Sequence, residues 1–173
     1  MLDKMWSWSA GLILAALMTA IWVYPKLLAG LDVHPVLGWA EARSGWSFFD
    51  PGLRYFSGVV TALAVLLILF PRTRLIGAVA ALAVSLFYFV LHNTPWLGMN
   101  VPEYQALMGA LQAGRSVAEI EALGLTHDYS GHMVLTLTNM VLAFMVLAVE
   151  VTSRRKAREK AKAKTVQPKY GFA

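Results

Sequence analysis

Polar and titratable side chains recur at helical spacing inside otherwise apolar sequence. They form four sets: Thr19, Trp22 and Lys26; Arg54, Ser57 and Thr61; Ser85, Tyr88 and His92; His132, Thr136 and Asn139. Three sets are spaced i, i+3, i+7 and the last i, i+4, i+7, so each draws one stripe along a helix. Polar groups are costly against lipid and turn towards a bundle interior. Converging stripes would make a polar pocket about 10 Å deep, at ~1.5 Å of rise per residue. The candidate ligand-binding residues of that pocket are Lys26, Arg54, Tyr88, His92, His132 and Asn139. Lys26 and Arg54 bring positive charge, and Glu41, Asp50 and Asp128 could return countercharge from the loops.

The histidines narrow the chemistry. His92 ends one apolar stretch and His132 begins the next, which places them at similar depth. Two facing imidazoles can ligate haem or a metal, or pass protons to a quinone. The neighbouring His127 and Asp128 extend the candidate metal set to His92, His132, His127 and Asp128. His127 and His132 are five residues apart and do not share a helical face, so no third ligand is forced. The alternative role is structural, with interfacial histidines capping helices and hydrogen-bonding the loops.

The elements that must position these residues are set by composition. The 173 residues are 58% hydrophobic and 14% charged, with a mean hydropathy of +0.57. Soluble domains are about half apolar and about a quarter charged. The chain therefore reads as a small all-α integral membrane protein of one domain. It has no cysteine, which excludes disulfides, thiolate metal sites, iron–sulfur clusters and cysteine nucleophiles. A spanning helix needs ~20 mostly apolar residues. Four stretches qualify, at about 6–28, 53–70, 75–91 and 133–151. Pro71-Arg72-Thr73-Arg74 is a tight turn that makes the second and third an antiparallel hairpin. The first stretch lacks a small-x-small cleavage site and is read as a retained helix, not a signal peptide. Gly11, Ala15 and Thr19, and Gly77, Ala81 and Ser85, are small-residue rows that suit close helix approach.

Lys and Arg set the orientation. With both termini cytoplasmic, the inner side carries 11 of the 15 basic residues, and Lys26, Arg43, Arg54 and Arg115 lie outside. The first outer loop holds Trp39, Trp46, Phe48 and Phe49, which suit a membrane interface. The second, about 92–132, carries two helix signatures. Pro102 suits a first helical position ahead of Tyr104, Leu107, Met108 and Leu111, with Gly114 as stop. Ser116-Val117-Ala118-Glu119 is a capping box before Ile120 and Leu123. Two short amphipathic helices are expected there. The domain division is 1–153 for the four-helix transmembrane part and 154–173 for a basic cytoplasmic tail. That tail would rest on anionic lipid. No aromatic residue interleaves its charges, which argues against nucleic acid. Its last residues, Lys169-Tyr170-Gly171-Phe172-Ala173, could dock on a partner.

The chain resembles the DoxX-like family of small four-span membrane proteins. The resemblance rests on Pro25-Lys26-Leu27, on Leu53-Arg54-Tyr55-Phe56-Ser57-Gly58, on the hairpin from Leu67 to Ala78, and on His92-Asn93-Thr94-Pro95-Trp96-Leu97-Gly98. Lys26 and Gly58 match positions of the family, whereas Thr61 stands where many members have Glu. The segment before the fourth span is also longer than in the short form. The resemblance implies a four-helix bundle in the bacterial inner membrane. It also implies links to quinone-coupled sulfur oxidation and oxidative-stress complexes. No GxGxxG, Walker, HExxH or GxSxG motif is present. The expectation is an accessory or scaffold subunit of a larger membrane redox or energy-converting complex, contacting lipid and other membrane subunits. The alternative is a redox protein that holds quinone or haem in the polar pocket. A transporter would need a polar path through both halves of the bundle, and the inner half offers little.

Overall fold

The computed structural model describes residues 2–166, and side chains from 8 to 163. The 169–173 segment and the side chains of Lys4 and Lys164 lie outside the described residues. The order is α1 (Leu2–Met18), a π-helical continuation π1 (Thr19–Leu28), α2 (Pro35–Ser44), a short π-type turn π2 (Phe48–Leu53), α3 (Arg54–Leu69), α4 (Arg74–His92), α5 (Tyr104–Gln112), α6 (Val117–Ala122) and α7 (Gly131–Val166). Among the described residues, four helical stretches are long and apolar enough to cross a membrane: Trp8–Leu28, Phe48–Leu69, Arg74–His92 and Gly131–Ala163. The chain is accordingly a multi-pass membrane protein by length and composition. The second and fourth stretches are longer than the sequence suggests, because π2, kinked at the extended residue Asp50, abuts α3, and α7 continues into the basic segment.

The four long helices form a closed ring, with α1 against α3 and α7, and α4 against α3 and α7. One end of the ring carries α2, α5 and α6 and is here the capped end. The other carries the α3–α4 turn and is the tail end. Between them lies an apolar core that includes Leu14, Ala15, Ala64, Ile68, Ala78, Ala81, Ala143 and Val146.

Local chemistry explains the joints. Pro25 lacks an N–H, and its ring crowds the carbonyl four residues back. The wider i→i+5 turns of π1 accommodate it, closing with Ala29 N–H to the Tyr24 carbonyl at 2.9 Å. At the α3–α4 turn the last carbonyls of α3 need donors. Thr73 Oγ1 donates to the Leu67 carbonyl at 3.0 Å, and Arg74 Nε to the Ile68 carbonyl at 2.9 Å. Gly77 lets the two helices touch: a Cβ there would sit 2.6 Å from the Ile68 backbone nitrogen. Glu103, not Pro102, caps α5, its carboxylate accepting from Gln105 and Ala106 N–H. Pro102 instead bridges His127 in extended backbone. Ser116 and Glu119 cap α6 reciprocally.

Candidate functional site

The capped end gathers three polar groups. The first lies between π1, α3 and α4. Lys26 Nζ donates to the Tyr88 hydroxyl at 2.6 Å, and that hydroxyl also bonds Ser57 Oγ at 2.9 Å. Trp22 stacks on Tyr88 with ring centroids 5.4 Å apart, and Lys26 Nζ lies 4.1 Å from the Tyr88 ring centre. Lys26, Ser57, Tyr88 and Trp22 are all buried. Lys26 is directed inward because Met18 at the end of α1 and Trp22 and Lys26 of π1 share one buried face.

The second group is the histidine pair. His92 Nε2 and His132 Nδ1 are 2.8 Å apart, and His92 Nδ1 is 2.8 Å from the Gly98 carbonyl. A carbonyl only accepts, so His92 Nδ1 carries a proton. With both rings neutral, His92 Nε2 then accepts from His132 Nδ1–H, and His132 Nε2 keeps the only uncommitted ring lone pair. His92 has none to offer a metal or haem iron while this arrangement holds. Tyr104 of α5 covers His132 edge-on, with centroids 6.1 Å apart.

The third group joins Arg54 to the first loop. Arg54 Nε lies 3.0 Å from Asp50 Oδ1, and Arg54 Nη1 donates to the Leu31 carbonyl at 2.9 Å. Asp50 Oδ2 accepts from the His34 backbone N–H at 2.6 Å, and Glu41 accepts from the Asp50 N–H at 2.8 Å. His34 Nδ1 in turn caps α2, accepting from Leu37 N–H at 3.4 Å. Burial, with the nearby charges of Lys26, His132 and Arg54, pushes the His34 imidazole down to about 3. It is therefore neutral at ordinary pH.

The six sequence-derived pocket residues thus share one end of the bundle, in separate groups. Lys26 meets Tyr88, and His92 meets His132. Arg54 turns to Asp50. Asn139 lies deeper and fully buried, with no hydrogen-bond partner for either amide atom among the described residues. Ser57, Thr61, Ser85 and Thr136 face inward as their stripes require, but Thr19 is exposed. The wider π-helical turn rotates the stripe, so that Met18 takes the inward position expected for Thr19. In the metal set, His127 is exposed and engaged in the Pro102 bridge. Asp128 is spent on backbone. It accepts from Val101, Ser130 and His132 N–H at 3.1, 3.1 and 2.9 Å. This turn holds two successive left-handed residues, Tyr129 and Ser130, before Gly131. Among the described residues no group of three His, Asp or Glu is placed to hold a metal ion.

Sequence reasoning missed a cluster at the tail end. Arg74, counted as a turn charge, is buried. Its guanidinium lies 3.4 Å from Glu150 and 4.1 Å from the centre of the Trp8 ring. Glu150 also lies 3.9 Å from Arg154, and Arg154 Nη2 donates to the Arg72 carbonyl at 3.0 Å. The signal was present as Glu150 and Arg154 at i, i+4. It marks α7 continuing in register beyond the apolar stretch. His34 was visible as a residue type, but its place in the third polar group depends on the path of the first loop.

An apolar groove of about 410 Å³ opens on the lipid-facing side between α3 and α4. Its walls include Phe56, Val60, Ala83 and Phe87, and its polar member is Ser57, the serine bonded to Tyr88. No protein-family model, curated protein or solved structure matches the chain.

Proposed function

We propose that the chain is a DoxX-like protein of the bacterial cytoplasmic membrane, with both termini in the cytoplasm. It serves as an accessory or scaffold subunit of a larger membrane redox or energy-converting complex. The excess of Lys and Arg on the tail-end side supports the orientation. The supporting observation for the role is the closure of the capped end. His92 is bonded at both ring nitrogens, Asp128 holds three backbone N–H groups, and Asp50 ties Arg54 to the first loop. Side chains spent in this way hold α2, α5 and α6 in fixed places and make a rigid platform for a neighbouring subunit. Native mass spectrometry of the chain, gently extracted from its own membrane, tests this. Co-purifying membrane subunits are expected. A chain that runs alone at every detergent strength refutes the role.

A second reading is favoured by one feature, the groove that meets Ser57. A quinone tail would lie between α3 and α4, and its head would approach the Ser57–Tyr88–Lys26 chain of hydrogen bonds. Ala83 is an exposed groove residue away from those bonds. Under this reading, Ala83→Phe removes a co-purifying quinone mass and leaves the bundle folded. A quinone mass unaffected by the variant counts against the groove.

A further inference from the structure

The tail end carries a second built surface, distinct from the capped end. A cleft of about 390 Å³ runs between the start of α4 and the extension of α7. Leu75 and Val151 form its apolar floor, and Arg154, Arg155, Arg158 and Lys162 line the rest with a single carboxylate, Glu159. On α7 these positions form one stripe, each three or four residues from the next along the face. The charges begin one helical turn past the last apolar residue of the face, Val151. That is headgroup depth for a helix that spans a bilayer, with its apolar part in the hydrocarbon.

The cations are not equally engaged. Arg155 pairs with Glu159 at 2.9 Å, and Arg154 holds Glu150 and the Arg72 carbonyl. Arg158 and Lys162, one turn apart, have no partner among the described residues. Like charges at i, i+4 repel each other on a helix. Here they do so beside a cleft that already holds more positive than negative charge. An isolated solvated stripe would need no apolar floor. A floor of Leu75 and Val151 continuous with the hydrocarbon fits a ligand that is anionic at one end and greasy at the other.

We propose that this cleft binds one anionic phospholipid per chain. Phosphate esters lie against Arg154, Arg155, Arg158 and Lys162, and an acyl chain starts along Leu75 and Val151. With Glu150 answering Arg154 and Glu159 answering Arg155, Arg158 and Lys162 leave two positive charges, which favour a lipid with two phosphates over one with a single phosphate. Zwitterionic lipid is disfavoured. The site is independent of which side of the membrane the tail occupies and of the capped-end chemistry. It differs from a diffuse basic anchor in being saturable.

The test uses the full chain in mixed micelles that contain phosphatidylcholine, phosphatidylglycerol or cardiolipin, with bound lipid counted by native mass spectrometry. One retained cardiolipin per chain is expected, with phosphatidylglycerol weaker and phosphatidylcholine lost on dilution. The double variant Arg158→Gln, Lys162→Gln should weaken cardiolipin retention about thirtyfold, on the usual contribution of a basic residue near an anionic surface. Arg158→Lys, Lys162→Arg should restore it. Both positions are exposed, so circular dichroism should show the fold unchanged. Equal retention of phosphatidylcholine, adducts that rise without saturating, or an unaffected double variant would each overturn the proposal. So would displacement of the lipid by millimolar inorganic phosphate, which would indicate an ion site.

Discussion

The Tyr88 hydroxyl is the hub of the first polar group, and removing it is the sharpest test of how that group works. Tyr88→Phe keeps the ring and therefore its stack on Trp22, so no cavity opens. Ser57 keeps a second acceptor, the Arg54 carbonyl at 3.3 Å. Lys26 Nζ loses its one hydrogen-bond partner among the described residues, in a position only 4% exposed. A buried donor left unpaired costs about 1–3 kcal/mol, and more if charged. The expected loss is about 2–3 kcal/mol, or a fall in Tm of roughly 4–12 °C for a chain of this size. Replacing both partners with apolar groups can be close to neutral. Adding Lys26→Met to Tyr88→Phe should therefore recover at least about 1 kcal/mol of the single-variant loss. Unfolding in mixed micelles can be followed by tryptophan fluorescence, since Trp22 stacks on the substituted ring. A Tyr88→Phe loss below about 0.5 kcal/mol, or strict additivity in the double variant, would refute the reasoning.

Three further outcomes follow from the same geometry. His34 has a folded-state value near 3 against an ordinary 6.5, so the unfolded chain binds the extra proton first as pH falls. Its contribution is intact above pH ~6.5 and lost at up to about 1.4 kcal/mol per pH unit between there and ~3. Stability profiles of the chain and of His34→Asn, which can still cap α2, should diverge over that window and nowhere above it. Gly77→Ala forces a methyl against the α3 backbone, where no flexible side chain can yield. Thermal unfolding should show a loss of about 1–3 kcal/mol, whereas Gly109→Ala, with open space around it, should cost nothing measurable. Asp128→Ala strips three backbone donors of their acceptor at the left-handed turn before α7. Hydrogen exchange should rise at Val101, Ser130 and His132 together, and protection unchanged at all three would contradict the assigned role.

Much of this was legible in the sequence, for identifiable reasons. The spans follow from apolar length, and the α6 cap from two residue types at a fixed offset. The stripes located the buried polar residues of α3, α4 and α7, because an α-helix repeats its faces faithfully. The first helix broke the rule at Thr19. Pro25 forces a wider turn, and periodicity computed for an α-helix then selects the wrong neighbour of Met18. The pairings inside the site were not legible. Arg54 could face Asp50 or the histidines on spacing alone, and the choice depends on how the first loop folds over α3. Arg74 escaped because a charge beside a turn reads as solvent-exposed. Its burial depends on Trp8 and Glu150, which are distant in sequence.

The two polar ends bear on whether the bundle could conduct. Asn139 is the deepest polar residue of the capped end on α7, and Glu150 belongs to the tail-end cluster. Eleven residues separate them on one helix, about 16 Å at ~1.5 Å per residue. The inward positions of α7 in that interval are Ala143 and Val146. The helices facing them present Leu14, Ala15, Ala64, Ile68, Ala78 and Ala81, all buried. On α3 the interval is shorter, seven residues or about 10 Å from buried Thr61 to the Ile68 carbonyl held by Arg74 Nε. An ion or proton crossing this collar would therefore leave its polar partners for about a third of the ~30 Å hydrocarbon thickness, at a cost of several kcal/mol for a charge. Polar chemistry at each end is therefore electrically separate from the other. The buried polar side chains of the capped end, His132 and Lys26 included, lie on one side of this collar and the Arg74–Glu150 pair on the other. Any redox partner served by these groups must meet them from that end or through the α3–α4 groove. Substituting Asp for Val146 should wet the collar, and proton leak in sealed vesicles then measures how much of the barrier it provides. A native chain that already leaks as fast as the variant would contradict a dry collar.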